Sequence, residues 1–186
     1  MTVLQEFDEN GIVQADAIRD GAQIASVLKQ QSVLFERWDA SEVLAADADQ
    51  DAVLSAYNTS VQKLKSNYDI QSMDVVAIRP DNPQKAEFRQ KFLAEHTHAD
   101  FEIRFFVEGS GLFYLHIENK VYLILCEQGD LISVPANTTH WFDMGVNPNF
   151  KCIRLFTTDE GWVGNFTGND IAKKFPSMDD FVGSVK

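Results

Sequence analysis

The sequence predicts a mainly β protein with flanking helices, folded around a sandwich or barrel, and three observations carry that expectation. From His96 to Phe156, strand-length apolar stretches alternate with turns at Glu118-Asn119, Gln128-Gly129-Asp130, Pro135-Ala136-Asn137 and Gly145-Val146-Asn147-Pro148. Closely spaced short strands of this kind close into a sandwich or barrel. Helical patterning, by contrast, falls in the residues before His96. Finally, 45% hydrophobic residues, including 14 phenylalanines, in 186 residues supply one sizeable core.

The elements follow in order. Asp16 to Gln31 reads as a helix, followed by the extended run Val33-Leu34-Phe35-Glu36-Arg37-Trp38. Between Asp51 and Tyr68, Leu54, Tyr57, Val61, Leu64 and Tyr68 recur at steps of three and four, which predicts a second helix with one buried face. Asp74 to Arg79 reads as a strand. Asn82 then serves as an N-cap with Pro83 in the first helical position, opening a helix that runs to about Leu93 and delivers the chain to His96. After Thr158 the tail is mixed, with Trp162 and Phe166 expected to pack back on the strands. No linker, repeat or low-complexity segment divides the chain. The expectation is therefore one domain over 1–186: a helical N-terminal part at about 1–70, a barrel core at about 72–157 and the tail.

Composition removes several function classes. A net charge of −12 is the opposite of what a general nucleic-acid binder needs and favours solubility instead. No apolar run approaches the roughly 20 residues of a membrane helix. Met1-Thr2-Val3-Leu4-Gln5-Glu6-Phe7-Asp8 lacks the basic segment and apolar core of a secretory leader, so the expected location is cytoplasmic. Cys126 and Cys152 sit in apolar strand-like runs and are expected to be buried free thiols.

Chemistry concentrates in one pattern. Three of the four histidines fall in His96-Thr97-His98-Ala99-Asp100-Phe101-Glu102 and, downstream, at His140. Imidazoles plus a carboxylate suit a borderline divalent metal such as iron, nickel, zinc or copper. His96 and His98, two apart in a strand, share a face. Glu102 in the same straight strand would lie about 13 Å from His98, too far for metal bonds of roughly 2 Å. The chain must therefore turn near Ala99-Asp100 and bring Glu102 back on a neighbouring strand, with Glu102, Arg104 and Phe106 on its inward face.

The same residues resemble a known framework. His96-x-His98-x3-Glu102-x6-Gly109 is similar to the first cupin motif, and Gly129-x5-Pro135-x-Asn137-x2-His140 to the second. Gln90, Asn137 and Met144 depart from the usual Gly, Gly and Asn, positions that concern turns and packing rather than the four ligands. A closer resemblance lies in Asn82-Pro83-Gln84-Lys85, in Glu95-His96-Thr97-His98 and in the run from Arg104 to Phe113. It continues in Asp130-Leu131-Ile132-Ser133-Val134-Pro135, His140-Trp141-Phe142-Asp143-Met144-Gly145, Glu160-Gly161-Trp162 and Phe166-Thr167-Gly168. Together, from about Phe35 to Ile171, they look like the acireductone dioxygenase family.

That resemblance implies a cupin jelly-roll β-barrel, a type that encloses a cavity. It also implies a monomer binding one Fe2+ or Ni2+ per chain through His96, His98, Glu102 and His140, acting on a small-molecule enediol and O2. Three neutral imidazoles and one carboxylate would leave the ion with net charge of about +1, and an octahedral ion so held keeps two open positions. The implied substrate is 1,2-dihydroxy-3-keto-5-methylthiopentene of methionine salvage. The iron form yields formate and 4-methylthio-2-oxobutanoate; the nickel form yields methylthiopropanoate, formate and carbon monoxide. Another cupin dioxygenase or isomerase, or a non-catalytic small-molecule-binding cupin, would share the framework, although such binders often lose ligands that are intact here.

Around the ligands, Arg104 is expected to stabilise the substrate anion or to orient Glu102. Arg154, set between apolar residues, needs an anionic partner and is either that partner's counterion or a second substrate clamp. Phe92, Phe106, Phe142 and Trp162 would line a pocket for the methylthio tail or serve as core. Glu95 and Asp100 are either acceptors for imidazole N–H groups or solvated. His116, outside both motifs, is expected on a solvated face or bonded to a neighbour.

Overall fold

The computed structural model describes residues 1–45 and 47–185. Ten strands, β1 (Val3–Asp8), β2 (Leu34–Arg37), β3 (Ser72–Ile78), β4 (His96–Thr97), β5 (Glu102–Ile117), β6 (Lys120–Glu127), β7 (Asp130–Val134), β8 (Thr139–Asp143), β9 (Phe150–Phe156) and β10 (Asn165–Phe166), form two antiparallel sheets. One runs β1-β6-β5-β8-β4-β10 and the other β2-β7-β5-β9-β3.

β5 belongs to both. Its first half pairs with β7 and β9, its second half with β6 and β8, and the switch falls at a bulge between Phe106 and Glu108 followed by Gly109. Gly109 has φ +68°, and a Cβ there would lie 1.8 Å from the Asn149 carbonyl oxygen. Only glycine lets the strand turn this corner. The two sheets so joined make the expected jelly-roll.

Both faces of both sheets are covered, which explains why Val121-Tyr122-Leu123-Ile124-Leu125-Cys126 is apolar throughout rather than alternating. Inside the barrel lie Phe106, Phe113, Leu115, Ile124, Cys126, Phe142, Phe150 and Cys152. Ile103, Phe105, Val107, Ile153 and Leu155 on the outer face of one sheet pack on Val53, Tyr57, Val61 and Leu64. Leu112, Tyr114, Leu123 and Trp141 on the outer face of the other pack on Ile171, Phe175 and Phe181 from the tail. Burying a side chain of this size contributes about 1.5–3 kcal/mol, so helices and tail are parts of the core. Both cysteines are buried and free.

The helices depart from expectation at their ends. The first, α1 (Gly21–Gln30), begins five residues later than Asp16. Asp20 caps it by accepting from Gln23 N, and Val13 and Ile18 instead bridge to Phe7 and Leu4 of β1. β1 itself, paired along β6, and β2 lie in the part expected to be helical. The helix expected over Asp51 to Tyr68 is two, α2 (Gln50–Ala56) and α3 (Asn58–Asn67), broken at Tyr57; Val53 rather than Leu54 is its most buried early position. α4 (Lys85–Leu93) starts after Pro83, because the Asn82 side chain accepts from Gln84 N and closes a turn there instead of capping the helix. A 3-10 segment (Ile171–Lys174) and α5 (Met178–Ser184) end the described chain. Among the described residues no helix is long and apolar enough to cross a membrane.

Candidate metal centre

α4 ends at Leu93 and feeds β4, a two-residue strand whose His96 is the direct partner of His140 on β8. Directly paired residues share a face, so both imidazoles point into the barrel. His98 follows, and the chain bends at Ala99-Asp100 as the spacing demands. Glu102 does not return on a neighbouring strand of the same sheet. It opens β5, whose first half lies in the other sheet, opposite Val134. The four side chains therefore converge across the barrel, all buried, with one ligand atom from each lying within 4.8 Å of the others.

The backbone fixes the tautomers. His96 Nδ1 lies 2.6 Å from the Ala94 carbonyl oxygen, His140 Nδ1 2.8 Å from that of Thr138, and His98 Nδ1 2.5 Å from that of Val163. A carbonyl only accepts, so each Nδ1 carries a proton, and in its neutral form each ring turns an Nε2 lone pair inward. His98 Nε2 and His140 Nε2 face Glu102 Oε2 at 2.6 and 3.2 Å. Lone pairs set against a carboxylate repel unless a cation stands between them. Moreover, His98 Nε2 is buried without a hydrogen bond, its close contact with Glu102 Oε2 lying off the hydrogen-bonding direction. A divalent ion, which asks for distance rather than donor alignment, fits this set.

Electrostatics agree. Burial, helped by repulsion from His140, pushes the His96 pKa down to about 4, leaving a neutral ring. Burial works against charge on Glu102 too, but its surroundings, the Arg104 guanidinium foremost, outweigh it and hold the carboxylate well below its usual range. His98 moves the other way: burial opposes its charge, yet the Glu102 carboxylate raises its pKa, which makes the space between His98 Nε2 and Glu102 Oε2 one that favours positive charge.

Arg104 Nε lies 2.6 Å from Glu102 Oε1, and its guanidinium rests 4.5 and 5.0 Å from the ring centres of Phe142 and Phe113. It is thus clamped behind the carboxylate. Arg154 finds its anionic partner in Asp74, through Nε–Oδ1 at 2.7 Å and Nη2–Oδ2 at 2.6 Å, on a cleft wall rather than in the ligand cluster. Phe92 and Trp162 line that cleft, 5.8 Å apart at their ring centres. Phe106 and Phe142 instead pack among Phe113 and Phe150 in the barrel interior. Gly111 makes room for Phe142, since a Cβ there would meet its ring at 2.1 Å.

Glu95 and Asp100 are neither acceptors for the ligand imidazoles nor solvated. Glu95 accepts from His116 Nδ1 at 2.8 Å and from Thr167 Oγ at 2.5 Å. Asp100 accepts from Phe101 N and Thr157 N, at 2.7 and 2.6 Å. The real acceptors, the carbonyls of Ala94, Thr138 and Val163, were invisible to side-chain reasoning; the sole signal was Ala94 and Thr138 each standing two residues before a ligand. The tail packs back as expected: Trp162 lies 5.5 and 5.1 Å from His96 and His98, and Phe166 5.7 Å from His96, on a strand paired to His96-Thr97.

Comparison with known proteins agrees with this geometry. The model of the ARD/ARD′ family matches residues 3–164. Acireductone dioxygenases of Methylococcus capsulatus and Aquifex aeolicus are 55% and 53% identical to this chain, each over 98% of it and over 98% and 99% of their own lengths. In structure the chain is similar to an acireductone dioxygenase from Bacillus anthracis with a cadmium ion in its active centre, at a TM-score of 0.79 and 26% identity, covering 89% of this chain and 98% of that one. With a barrel whose buried histidines and glutamate suit a divalent ion, and relatives alike over nearly their whole length, the chain belongs to the acireductone dioxygenase family.

Proposed function

We propose that His96, His98, Glu102 and His140 hold one Fe2+ or Ni2+ and that the chain cleaves 1,2-dihydroxy-3-keto-5-methylthiopentene with O2. The observation that carries this reading is the convergence of three backbone-fixed imidazoles on one buried carboxylate. The ion would supply a Lewis-acidic anchor for a chelating enediolate.

The chain's own residues do the rest. Carbonyls of Ala94, Thr138 and Val163 hold the protons at Nδ1, keeping every Nε2 free. Arg104 takes up Glu102 Oε1 and so leaves Oε2 toward the imidazoles. Trp162 and Phe92 exclude water from one side of the cluster and give an apolar surface to a thioether tail. Arg154, neutralised by Asp74, shapes the wall beside them.

The test is to add the enediol anaerobically to iron-loaded and nickel-loaded protein, then O2. Iron-loaded protein is expected to give formate and 4-methylthio-2-oxobutanoate, and nickel-loaded protein to release carbon monoxide. Identical products from the two, with metal content verified, would refute metal-controlled products; no oxygen uptake in either would refute the activity.

A further inference from the structure

Two openings meet beside the metal centre. A cavity of about 50 Å3 lies against His98 and Glu102, and a cleft of about 630 Å3 runs between β3, α4 and the segment after β9. Glu160 and Gly161 belong to both walls, and Trp162 lines the cleft while its ring faces His96 and His98. An anion approaching the centre this way meets a protein of net charge −12, whose field repels it.

The ionisable groups of the cleft are Asp74, Lys91, Arg154 and Glu160. Arg154 is committed to Asp74 through two contacts and offers little net charge. Lys91 is different. The lysines in ion pairs among the described residues are Lys63, Lys120, Lys151 and Lys173. Lys91 instead holds its Nζ 4.8 Å over the Trp162 ring. A cation without a carboxylate partner thus stands one indole away from the ligand imidazoles, on the apolar mouth formed with Phe88 and Phe92.

We propose that Lys91 is a specificity-determining residue that draws anionic substrate into this cleft against the field of the protein. The inference rests on reading the chain as an enzyme acting on an enediolate. Lys91 is placed to attract the enediolate oxygens as they pass the indole, whereas the apolar cleft wall receives the uncharged tail.

The experiment is steady-state kinetics of metal-loaded wild type, Lys91→Gln, Lys91→Glu and Lys91→Arg across ionic strength. At low salt Lys91→Gln is expected to lower kcat/KM by about 3- to 10-fold and Lys91→Glu by more. The loss should sit in KM, Lys91→Arg should retain the wild-type value, and the differences should fade as the Debye length shrinks from about 10 Å at 0.1 M to about 3 Å at 1 M. Unchanged kcat/KM in both charge-removing variants overturns the proposal. So does a loss carried by kcat and indifferent to salt, which would make Lys91 only a prop for Trp162. Wild type separates this from the function itself: if it consumes no enediol, the activity assignment fails. Anaerobic titration of wild type and Lys91→Glu with the same enediolate, followed by tryptophan fluorescence, still reads Lys91; weaker binding to the variant supports the proposal and equal binding overturns it.

Discussion

Two histidine–glutamate clusters stand within a few residues of each other, and only one is built for a metal. Inside the barrel, His96, His98 and His140 spend their Nδ1 protons on backbone carbonyls and keep Nε2 free for an ion shared with Glu102. Outside it, His116 has both nitrogens taken by carboxylates, Nδ1 by Glu95 at 2.8 Å and Nε2 by Glu9 at 3.0 Å. Nearness of imidazole to carboxylate is common to both. What differs is whether a lone pair is left over, and that is decided by what the second ring nitrogen meets.

The sharpest way to break this contrast is to remove one inner imidazole. His96→Ala, His98→Ala and His140→Ala are each expected to lose most bound metal and to lower turnover by at least about 1000-fold, with the circular dichroism of the barrel retained. Full metal content in His140→Ala would remove the second motif from the centre.

Arg104→Met tests the support behind the carboxylate. It keeps an apolar body between Phe113 and Phe142 but leaves Glu102 without its cation. Metal affinity should fall by about 10- to 100-fold, read by competition with a chelator, and wild-type affinity would show that the pair is dispensable.

A carboxylate with no imidazole gives a third case. Asp143 is buried and accepts from Arg89, at 2.7 and 2.8 Å, and from Gly145 N and Met178 N at 2.9 Å, tying α4 and α5 to β8. Burial opposes its charge, but Arg89 and the two amides prevail and lower its pKa. A carboxyl group more acidic in the folded than in the unfolded chain stabilises above its unfolded pKa of about 3.9 and loses that contribution as pH falls through the folded value. Asp143→Asn is thus expected to cost about 1–3 kcal/mol at pH 7, with the gap to wild type narrowing below about pH 4; a gap independent of pH would place the loss in packing.

The smallest effect is expected from the outer cluster. Glu95→Gln and His116→Gln should leave metal content unchanged and lower stability by about 1 kcal/mol, seen as a Tm lower by a few degrees. Metal loss in His116→Gln would show that the two clusters act as one.

Much of this was legible in the sequence, and the exceptions have physical causes. Short apolar runs with turns between them pointed to a sandwich or barrel, ligand spacing demanded the bend before Glu102, and the resemblance to the acireductone dioxygenase family implied the jelly-roll and the four-ligand set with His140. Asn137 illustrates it well: it stands where the motif usually has glycine, and it adopts φ +62°, a conformation asparagine tolerates better than most residues. What escaped was set by distant partners. Val53 rather than Leu54 faces inward because it stands four residues before Tyr57, on the stripe that Val61 continues and that packs on Phe105, and β1 became a strand because β6 offered an edge. Glu95, beside a ligand, turned away to His116 and Thr167, elements 21 and 72 residues on.

The Val163 carbonyl that fixes His98 comes from 65 residues further along the chain. The same tail lays Trp162 and Phe166 against His96 and pairs β10 with β4. During synthesis, then, all four ligand side chains leave the ribosome well before the segment that orients one of them. A growing chain can display its histidines without being able to seat an ion between them correctly. Chains ending at Thr158 are expected to hold Ni2+ more weakly than chains reaching Asp170, which competition with a chelator would measure; equal retention would uncouple loading from the tail. Metal capture in this protein is thus expected to follow the emergence of the segment that carries Val163, whose carbonyl holds the His98 ring.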